Sequence, residues 1–236
     1  MTEGPILGGV EAFLFDVFGT VVDWRGSLAE GLRNANPHLE EDWGVFAQEW
    51  IKGHYIKCRG VASGGPGATS VDVLHREYLD EMLQHDRWEH LADQLSDTKR
   101  QELTLLYHKL NGWPDTTEGL YALKKKAIIG SLSNGNARLL VDMAKHADLP
   151  WDVVLSGDII GSYKPNPKMY LTAAQLLGLD PQKCCLVAAH LYDLRAAASH
   201  GFRTVYVRRP TEDTLEERDS IRSKQDGGEM AHTSTT

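Results

Sequence analysis

Short apolar runs that end in polar residues constrain the fold of this chain more than any other feature of its sequence. Each run is as long as a typical strand, is almost entirely apolar, and is followed within two residues by Asp, Ser, Asn, Gly or another polar residue. Strands that are buried on both faces of a parallel sheet have this composition. The runs cover residues 10–15, 127–132, 152–155, 184–188 and 204–207.

Helical patterns separate the last four of these runs, at residues 138–147, 167–177 and 193–200. Pro167 suits the first turn of a helix, and Gly178 and Gly201 stand where helices are expected to end. Strands and helices that alternate along a chain form parallel sheets with helical crossovers. The sequence therefore predicts an α/β fold, with an open parallel Rossmann-like sheet flanked by helices.

The stretch from about 25 to 113 follows a different pattern, because its apolar residues recur at spacings of three and four. That spacing is typical of amphipathic helices. We expect a helical cap domain at 24–113, inserted into a core α/β domain made of 1–23 and 114–210. From 211 to 236 the chain is charged and then small and polar, which predicts a flexible C-terminal tail.

Composition excludes several classes of partner. The chain has 236 residues, and 25 basic against 33 acidic side chains give a net charge of −8, so a nucleic-acid partner is not expected. A membrane partner is not expected either, because no apolar run approaches the roughly 20 residues that span a bilayer. The acidic N-terminal sequence does not resemble a secretory signal. With three cysteines, of which Cys184 and Cys185 are adjacent, we predict a reducing, cytoplasmic location.

Polar side chains occur where the predicted strands end. In open α/β sheets the ligand binds outside the carboxyl ends of the strands. Each such side chain alone is more typical of a turn or a helix cap than of a site, but their joint occurrence at successive strand ends predicts one site. The residues are Asp16 and Thr20, Ser133 and Asn134, Lys164, and Asp193.

These residues lie in motifs that resemble, in order, the four motifs of the haloacid dehalogenase superfamily. The motifs are DVFGTVVD at 16–23, SLSNG at 131–135, KPNP at 164–167 and the acidic Asp193. Within the superfamily the chain, over residues 10–208, is most similar to the L-2-haloacid dehalogenases (type II). The resemblance implies a metal-independent hydrolase that converts small 2-haloalkanoic acids into 2-hydroxy acids through an aspartyl ester on Asp16.

Residue chemistry is consistent with that reaction. A carboxylate at Asp16 can displace halide from carbon, and a nearby Lys164 would keep the carboxylate ionised. Asp193 can orient or deprotonate the water that hydrolyses the ester. We expect Thr20 to hold the nucleophile. The side chains expected to contact the substrate are Ser133, Asn134, Phe18, His190, Tyr170, Tyr192 and Trp50.

Two departures from the family motifs leave alternatives open. Phosphatases of the superfamily carry a second Asp at the position of Phe18, so a magnesium phosphatase is disfavoured and no metal or cofactor is expected. The dehalogenases carry a cap Arg at the position that aligns with Ile51, and its role could fall to His190, Lys52, Asn134 or backbone amides. A substrate-shifted or non-catalytic protein is the other alternative. The apolar cap helices are compatible with a homodimer.

Overall fold

A computed structural model describes residues 7–221 and the backbone of Ala231–His232. Its strands are β1 (Ala12–Phe15), β2 (Val22–Asp23), β3 (Asn111–Gly112), β4 (Ile128–Ser133), β5 (Val153–Ser156), β6 (Cys184–Ala188), β7 (Arg203–Val207) and β8 (Ala231–His232). Its α-helices are α1 (Trp24–Ala35), α2 (Trp43–Ala62), α3 (Val71–Met82), α4 (Asp97–Thr104), α5 (Thr116–Lys124), α6 (Ala137–His146), α7 (Gly157–Ile160), α8 (Pro167–Leu176), α9 (Leu191–Ser199) and α10 (Leu215–Asp219).

The main sheet is parallel throughout, in the order β5-β4-β1-β6-β7-β8. This confirms the predicted fold class, and the predicted strands match β1, β4, β5, β6 and β7 to within about two residues at each end. The register pairs Phe15 with Ser131 of β4 and with Val187 of β6. The chain that follows β1 therefore emerges between the carboxyl ends of β4 and β6.

The two faces of the sheet bury separate apolar clusters, because successive side chains of a strand point to opposite faces. Phe13 and Phe15 pack in a cluster that includes side chains of α5, α6 and the helices of residues 24–109. Ala12 and Leu14 pack in the other cluster, with side chains of α7, α8 and α9. One apolar cluster thus joins the sheet to the inserted helices without a break.

The inserted helices begin and end at a small antiparallel pair formed by β2 and β3. Asp23 caps the first of them, since its Oδ1 accepts from the backbone N–H of Gly26 at 3.0 Å. After the insertion, the N–H of Trp113 donates to the carbonyl of Val21 at 3.1 Å. The chain therefore leaves the core and returns to it at adjacent points, close to the boundaries 23 and 114 of the domain prediction.

The C-terminal segment differs from the expected flexible tail over residues 211–221. Helix α10 lies in this segment and begins with a capping box between Thr214 and Glu217. The N–H of Leu191 donates to Oδ2 of Asp213 at 2.9 Å, which ties the segment to the start of α9. The domain prediction also covers 1–6, 222–230 and 233–236, which lie outside the described residues.

Candidate active site

Asp16 is the first residue after β1 and lies at the carboxyl edge of the sheet, where it is 8% exposed. The turn that follows brings Thr20 back to it, and the hydroxyl of Thr20 donates to Oδ2 of Asp16 at 2.7 Å. Gly19 has a φ of +80° in this turn, a conformation that a residue with a side chain rarely adopts. The hydroxyl oxygen of Thr20 also accepts from the N–H of Ala189 at 2.8 Å, which fixes the direction of its proton.

Lys164 joins two carboxylates at this edge. Its Nζ lies 3.0 Å from Oδ1 of Asp16 and 2.5 Å from Oδ2 of Asp193. The side chain is 2% exposed, so both ion pairs are shielded from water. The N–H of Lys164 donates to the side-chain oxygen of Asn134 at 2.8 Å, which anchors the loop before α8.

Asp193 lies in the first turn of α9, where a carboxylate is favourable because of the helix dipole. Its second oxygen, Oδ1, accepts from the hydroxyl of Tyr170 at 2.6 Å. Burial raises the pKa of Asp193, an effect that the positive charge of Lys164 opposes and the negative charge of Asp16 reinforces. Asp193 is therefore a better proton acceptor than an exposed aspartate.

His190 lies between two carboxylates. Its Nδ1 is 3.0 Å from Oδ2 of Asp16, and its Nε2 is 2.9 Å from Oε2 of Glu212. Burial would lower the pKa of His190, but the hydrogen bonds and charges of these carboxylates raise it to about 10. At neutral pH the ring is therefore an imidazolium that donates to both.

Asp16 is ionised in this environment. Burial alone would raise its pKa, but the charge of Lys164 and the hydrogen bonds from His190 and Thr20 hold that pKa well below its usual range. Oδ2 already accepts two hydrogen bonds, whereas Oδ1 has Lys164 as its single donor within the described part of the chain. Oδ1 thus keeps a lone pair with which to attack an electrophile.

A cavity of about 400 Å³ opens beside His190, between the core and helix α2. Tyr192 and His190 line its core side, and Ile51, Lys52 and Arg59 line its cap side. The guanidinium of Arg59 lies 5.2 Å from the centre of the Tyr192 ring, a cation–π distance. A small ligand in this cavity would meet cationic groups of the cap and, on the core side, His190, which bonds to Asp16.

The geometry agrees with what sequence comparison finds. The profile of the haloacid dehalogenase-like hydrolases matches residues 10–201. This chain belongs to that family. It is 36% identical to (S)-2-haloacid dehalogenase 4A of Burkholderia cepacia over 213 residues, which cover 86% of this chain and 85% of the relative.

Two solved structures of haloacid dehalogenases share the fold of this family member closely. A defluorinating L-2-haloacid dehalogenase superposes with a TM-score of 0.80 at 42% identity, over 85% of this chain and 82% of that one. A second L-2-haloacid dehalogenase superposes with a TM-score of 0.79 at 39% identity, over 86% of each chain. The likeness therefore extends over the core and the inserted helices together.

Some residues predicted to contact the substrate lie elsewhere in this family member. Trp50 is fully buried inside the cap, where its Nε1–H donates to the carbonyl of His75 at 2.8 Å, and it does not line the cavity, so its expected substrate contact stays a prediction. Phe18 is also buried and packs near the rings of His54 and Tyr107. Both belong to the apolar cluster that joins the sheet to the inserted helices.

Three further residues support the site rather than face the cavity. The fully buried Tyr170 bonds to Asp193, and Ser133 accepts from the N–H of Gly135 at 3.1 Å. Asn134 anchors the Lys164 loop. These contacts hold the loops that carry the charged residues, and the expected contacts of the three side chains with substrate stay predictions. Tyr192 and His190 do line the cavity.

Magnesium, which some members of the family use, does not fit the residues present. The ion needs several oxygen ligands, yet the ammonium group of Lys164 already bonds to both Asp16 and Asp193. Phe18 stands where phosphatases have their second aspartate. Within residues 7–221, no group of three or more His, Cys, Asp or Glu side chains is arranged to hold a metal ion. No helix within the same range is long and apolar enough to cross a bilayer.

Sequence reasoning missed two residues of the site, Glu212 and Arg59. Glu212 lies in the charged segment that was predicted to be a tail, and no motif marks it. Arg59 lies two turns of α2 beyond Ile51, the position at which the family motif places a cap arginine. Helical spacing alone could have indicated that Ile51, Lys52, Tyr55 and Arg59 share one side of the helix.

Proposed function

We propose that this chain hydrolyses the carbon–halogen bond of small 2-haloalkanoic acids to give 2-hydroxy acids, through an ester on Asp16. The observation that carries the proposal is the ionised Asp16 carboxylate, with Oδ2 held by two donors and Oδ1 left able to attack. The relatives named above are haloacid dehalogenases, two of them specified as acting on L-2-haloacids and one described as defluorinating. Their names support the same chemistry for this chain.

In the first step, Oδ1 of Asp16 forms a bond to the carbon that bears the halogen. The electron pair of the carbon–halogen bond leaves with the halide, and the carbon inverts its configuration. Lys164 keeps the carboxylate ionised at neutral pH because it lies 3.0 Å from the attacking oxygen. This is covalent catalysis by a carboxylate nucleophile.

In the second step, water attacks the carboxyl carbon of Asp16 and transfers a proton to Asp193. The carbonyl electron pair moves onto Oδ2, and when it returns, the bond from the carboxyl carbon to Oδ1 breaks. Oδ1 leaves with the proton that Asp193 returns, as the hydroxyl oxygen of the product, and the oxygen of the water remains on Asp16, whose carboxyl group releases the second proton of the water to solvent. Asp193 suits the role of base because its position is fixed by Tyr170 and Lys164.

The cap side of the cavity supports recognition of a small anion, whereas Glu212, Asp213 and Glu217 line the opposite side. Lys52 and Arg59 reach it from the cap, and neither makes an ion pair with any residue of the described ranges. A cationic group that is free to pair with a carboxylate or a departing halide can therefore come from these residues, although Ile51 stands at the family's arginine position. Tyr55 and Tyr192 line the same space and favour compact substrates.

Single-turnover reaction in water labelled with heavy oxygen tests the covalent route. With enzyme in excess over (S)-2-chloropropionate, we expect the label in the Asp16 peptide and not in the first product molecules. Asp16→Asn should abolish halide release, while Asp180→Asn, an exposed carboxylate change, should leave it unchanged. Label that enters the product in the first turnover would refute the ester route.

Substrate range is tested by comparing 2-chloropropionate, 2-bromopropionate and fluoroacetate with p-nitrophenyl phosphate. Halide release without magnesium supports the proposal, and phosphate release that requires magnesium contradicts it. Arg59→Met and Lys52→Met should raise KM for the haloacids, with Lys125→Met as the exposed control. If Arg59→Met and Lys52→Met have the same KM as the wild type and the control, anion recognition does not depend on the cap cations.

The proposal includes a reducing compartment such as the cytoplasm, because the three cysteines are free and buried. Thiols of this kind do not need an oxidising environment. A homodimer stays a prediction, and sedimentation equilibrium of the full chain is the measurement that tests it.

A further inference from the structure

The contact between His190 and Glu212 has no place in the two reaction steps described above. Both ring nitrogens of His190 face carboxylate oxygens, at 3.0 Å and 2.9 Å. A neutral imidazole has one donor and one acceptor, so only the imidazolium can donate to both sides at once. The second carboxylate therefore selects the doubly protonated ring.

Glu212 is itself held in place by hydrogen bonds to neighbouring side chains. Its Oε1 accepts from the indole N–H of Trp24 at 2.9 Å and from the hydroxyl of Thr211 at 3.0 Å. The side chain is 5% exposed. It packs over Gly19, where an added Cβ would lie 2.4 Å from the carboxyl carbon of Glu212. Because Gly19 has no side chain, the turn between Asp16 and Thr20 leaves room for this carboxylate.

His190 and Thr20 donate to the same oxygen of Asp16, namely Oδ2. In the ester intermediate that oxygen is the carbonyl oxygen, because Oδ1 has bonded to the substrate carbon. When water adds to the carboxyl carbon, the carbonyl electron pair moves onto Oδ2 and gives it a negative charge. Preorganised donors at an oxygen that becomes charged stabilise the transition state.

We propose that Glu212 is a positioning residue for hydrolysis of the aspartyl ester: it holds His190 as an imidazolium with Nδ1–H directed at Oδ2 of Asp16. The inference rests on the proposed function and deepens it, because it assigns Glu212 to the second chemical step. Halide displacement does not need this contact, since a donor on Oδ2 only withdraws charge from the nucleophile.

The surroundings of His190 favour the charged ring. Asp16 and Glu212 bond to it directly and raise its pKa against the effect of burial. Further titratable groups lie around it on three elements. They are Asp213 and Glu217 in the C-terminal segment, Tyr192 on α9, and Tyr55, Lys52 and Arg59 on the cap. Because Asp213 and Glu217 are acidic and do not bond to the ring, the specific effect of Glu212 must be isolated with a matched variant.

The test compares Glu212→Gln with Glu216→Gln in the full chain. Both remove one carboxylate from the C-terminal segment, but Glu216 is exposed and its side chain makes no hydrogen bond or ion pair within the described residues. Nitrogen-15 NMR titration of the His190 ring reports its protonation without any need for turnover. We expect its pKa to fall by roughly 1–3 pH units in Glu212→Gln and to stay unchanged in Glu216→Gln.

Rapid-quench kinetics with (S)-2-chloropropionate separates the two chemical steps. In Glu212→Gln we expect a normal halide burst, accumulation of the ester detected by intact mass, and hydrolysis slower by about tenfold or more. The alkaline limb of the hydrolysis rate should move to lower pH together with the His190 titration. Glu212→Asp, which keeps the charge, should recover part of the rate.

Two results would overturn the inference. One is a Glu212→Gln variant that matches Glu216→Gln in titration and in both rates. The other is an equal loss in burst and hydrolysis with an unchanged titration, which would mean a purely structural role. If the wild type releases no halide from any 2-haloacid, the proposed function fails, and the titration still decides whether Glu212 controls the protonation of His190.

Discussion

Replacing Lys164 with methionine should destabilise the folded protein in a way that depends on pH. The change keeps an unbranched side chain of similar length but removes a charge that is 2% exposed and contacts two carboxylates. Removal of one partner from a buried ion pair costs about 3–5 kcal/mol, because the remaining charge is left without compensation. We expect a loss of unfolding free energy of that size at pH 7.

The sign of the pH dependence follows from the carboxyl groups. In the wild type the pKa of Asp16 lies below its unfolded value of 3.8, so its contribution is present above pH 3.8 and is lost as pH falls through the folded pKa. Without Lys164, the pKa of Asp193, which burial already raises in the wild type, rises further, and the pKa of Asp16 rises because it loses the charge that lowers it most. The folded variant then binds more protons than the folded wild type, and its deficit shrinks as pH falls, by up to about 1.4 kcal/mol per pH unit for each group.

Urea unfolding at pH 5, 6, 7 and 8 measures this effect as the difference between Lys164→Met and the wild type. Lys125→Met, which removes an exposed lysine, serves as the control and should stay within about 0.5 kcal/mol of the wild type. Adding Asp193→Asn to Lys164→Met should restore part of the loss, because one uncompensated carboxylate is then gone. A loss below about 1 kcal/mol that does not change between pH 5 and pH 8 would refute the reasoning.

Three further changes test separate contacts. Thr20→Val removes a donor from Oδ2 of Asp16 and should lower kcat by about tenfold to a hundredfold, measured by steady-state halide release. Tyr170→Phe removes the hydroxyl that bonds to Asp193 and should slow ester hydrolysis more than the halide burst, measured by rapid quench. His108, whose buried ring is placed between Asp72 and Asp142, has a raised pKa despite burial, so its stabilising effect is present below pH 6.5 and is lost as pH rises through the folded pKa. His108→Gln should therefore reduce the unfolding midpoint more at pH 6 than at pH 9, and equal losses would contradict this assignment.

The sequence determined the strands and helices of the core and the edge of the sheet at which the charged residues meet. Local apolar periodicity marks buried strands and amphipathic helices, so the bounds of β1, β4, β5, β6 and β7 followed from it within about two residues. Parallel strands bring their carboxyl ends to one edge by geometry alone. Asp16, Lys164 and Asp193 could therefore be expected to meet, and Nζ of Lys164 lies within 3.0 Å of both carboxylates.

Tertiary packing decided which side chains of the cap and of the C-terminal segment take part. Trp50 and Arg59 lie on the same helix, yet the first turns into the cap core and the second faces the cavity. Which side of α2 faces the core depends on how it packs against α1 and α3, and no local pattern encodes that.

Glu212 shows the same limit most clearly. A charged residue in such a polar segment is typical of a solvated tail, and the sequence neighbours of Glu212 offer it only the hydroxyl of Thr211. Its partners are the ring of His190 and the indole of Trp24, which is 188 residues away along the chain. A carboxylate becomes part of a site only when folding removes it from water beside compensating donors, and such a long-range arrangement exists only in three dimensions.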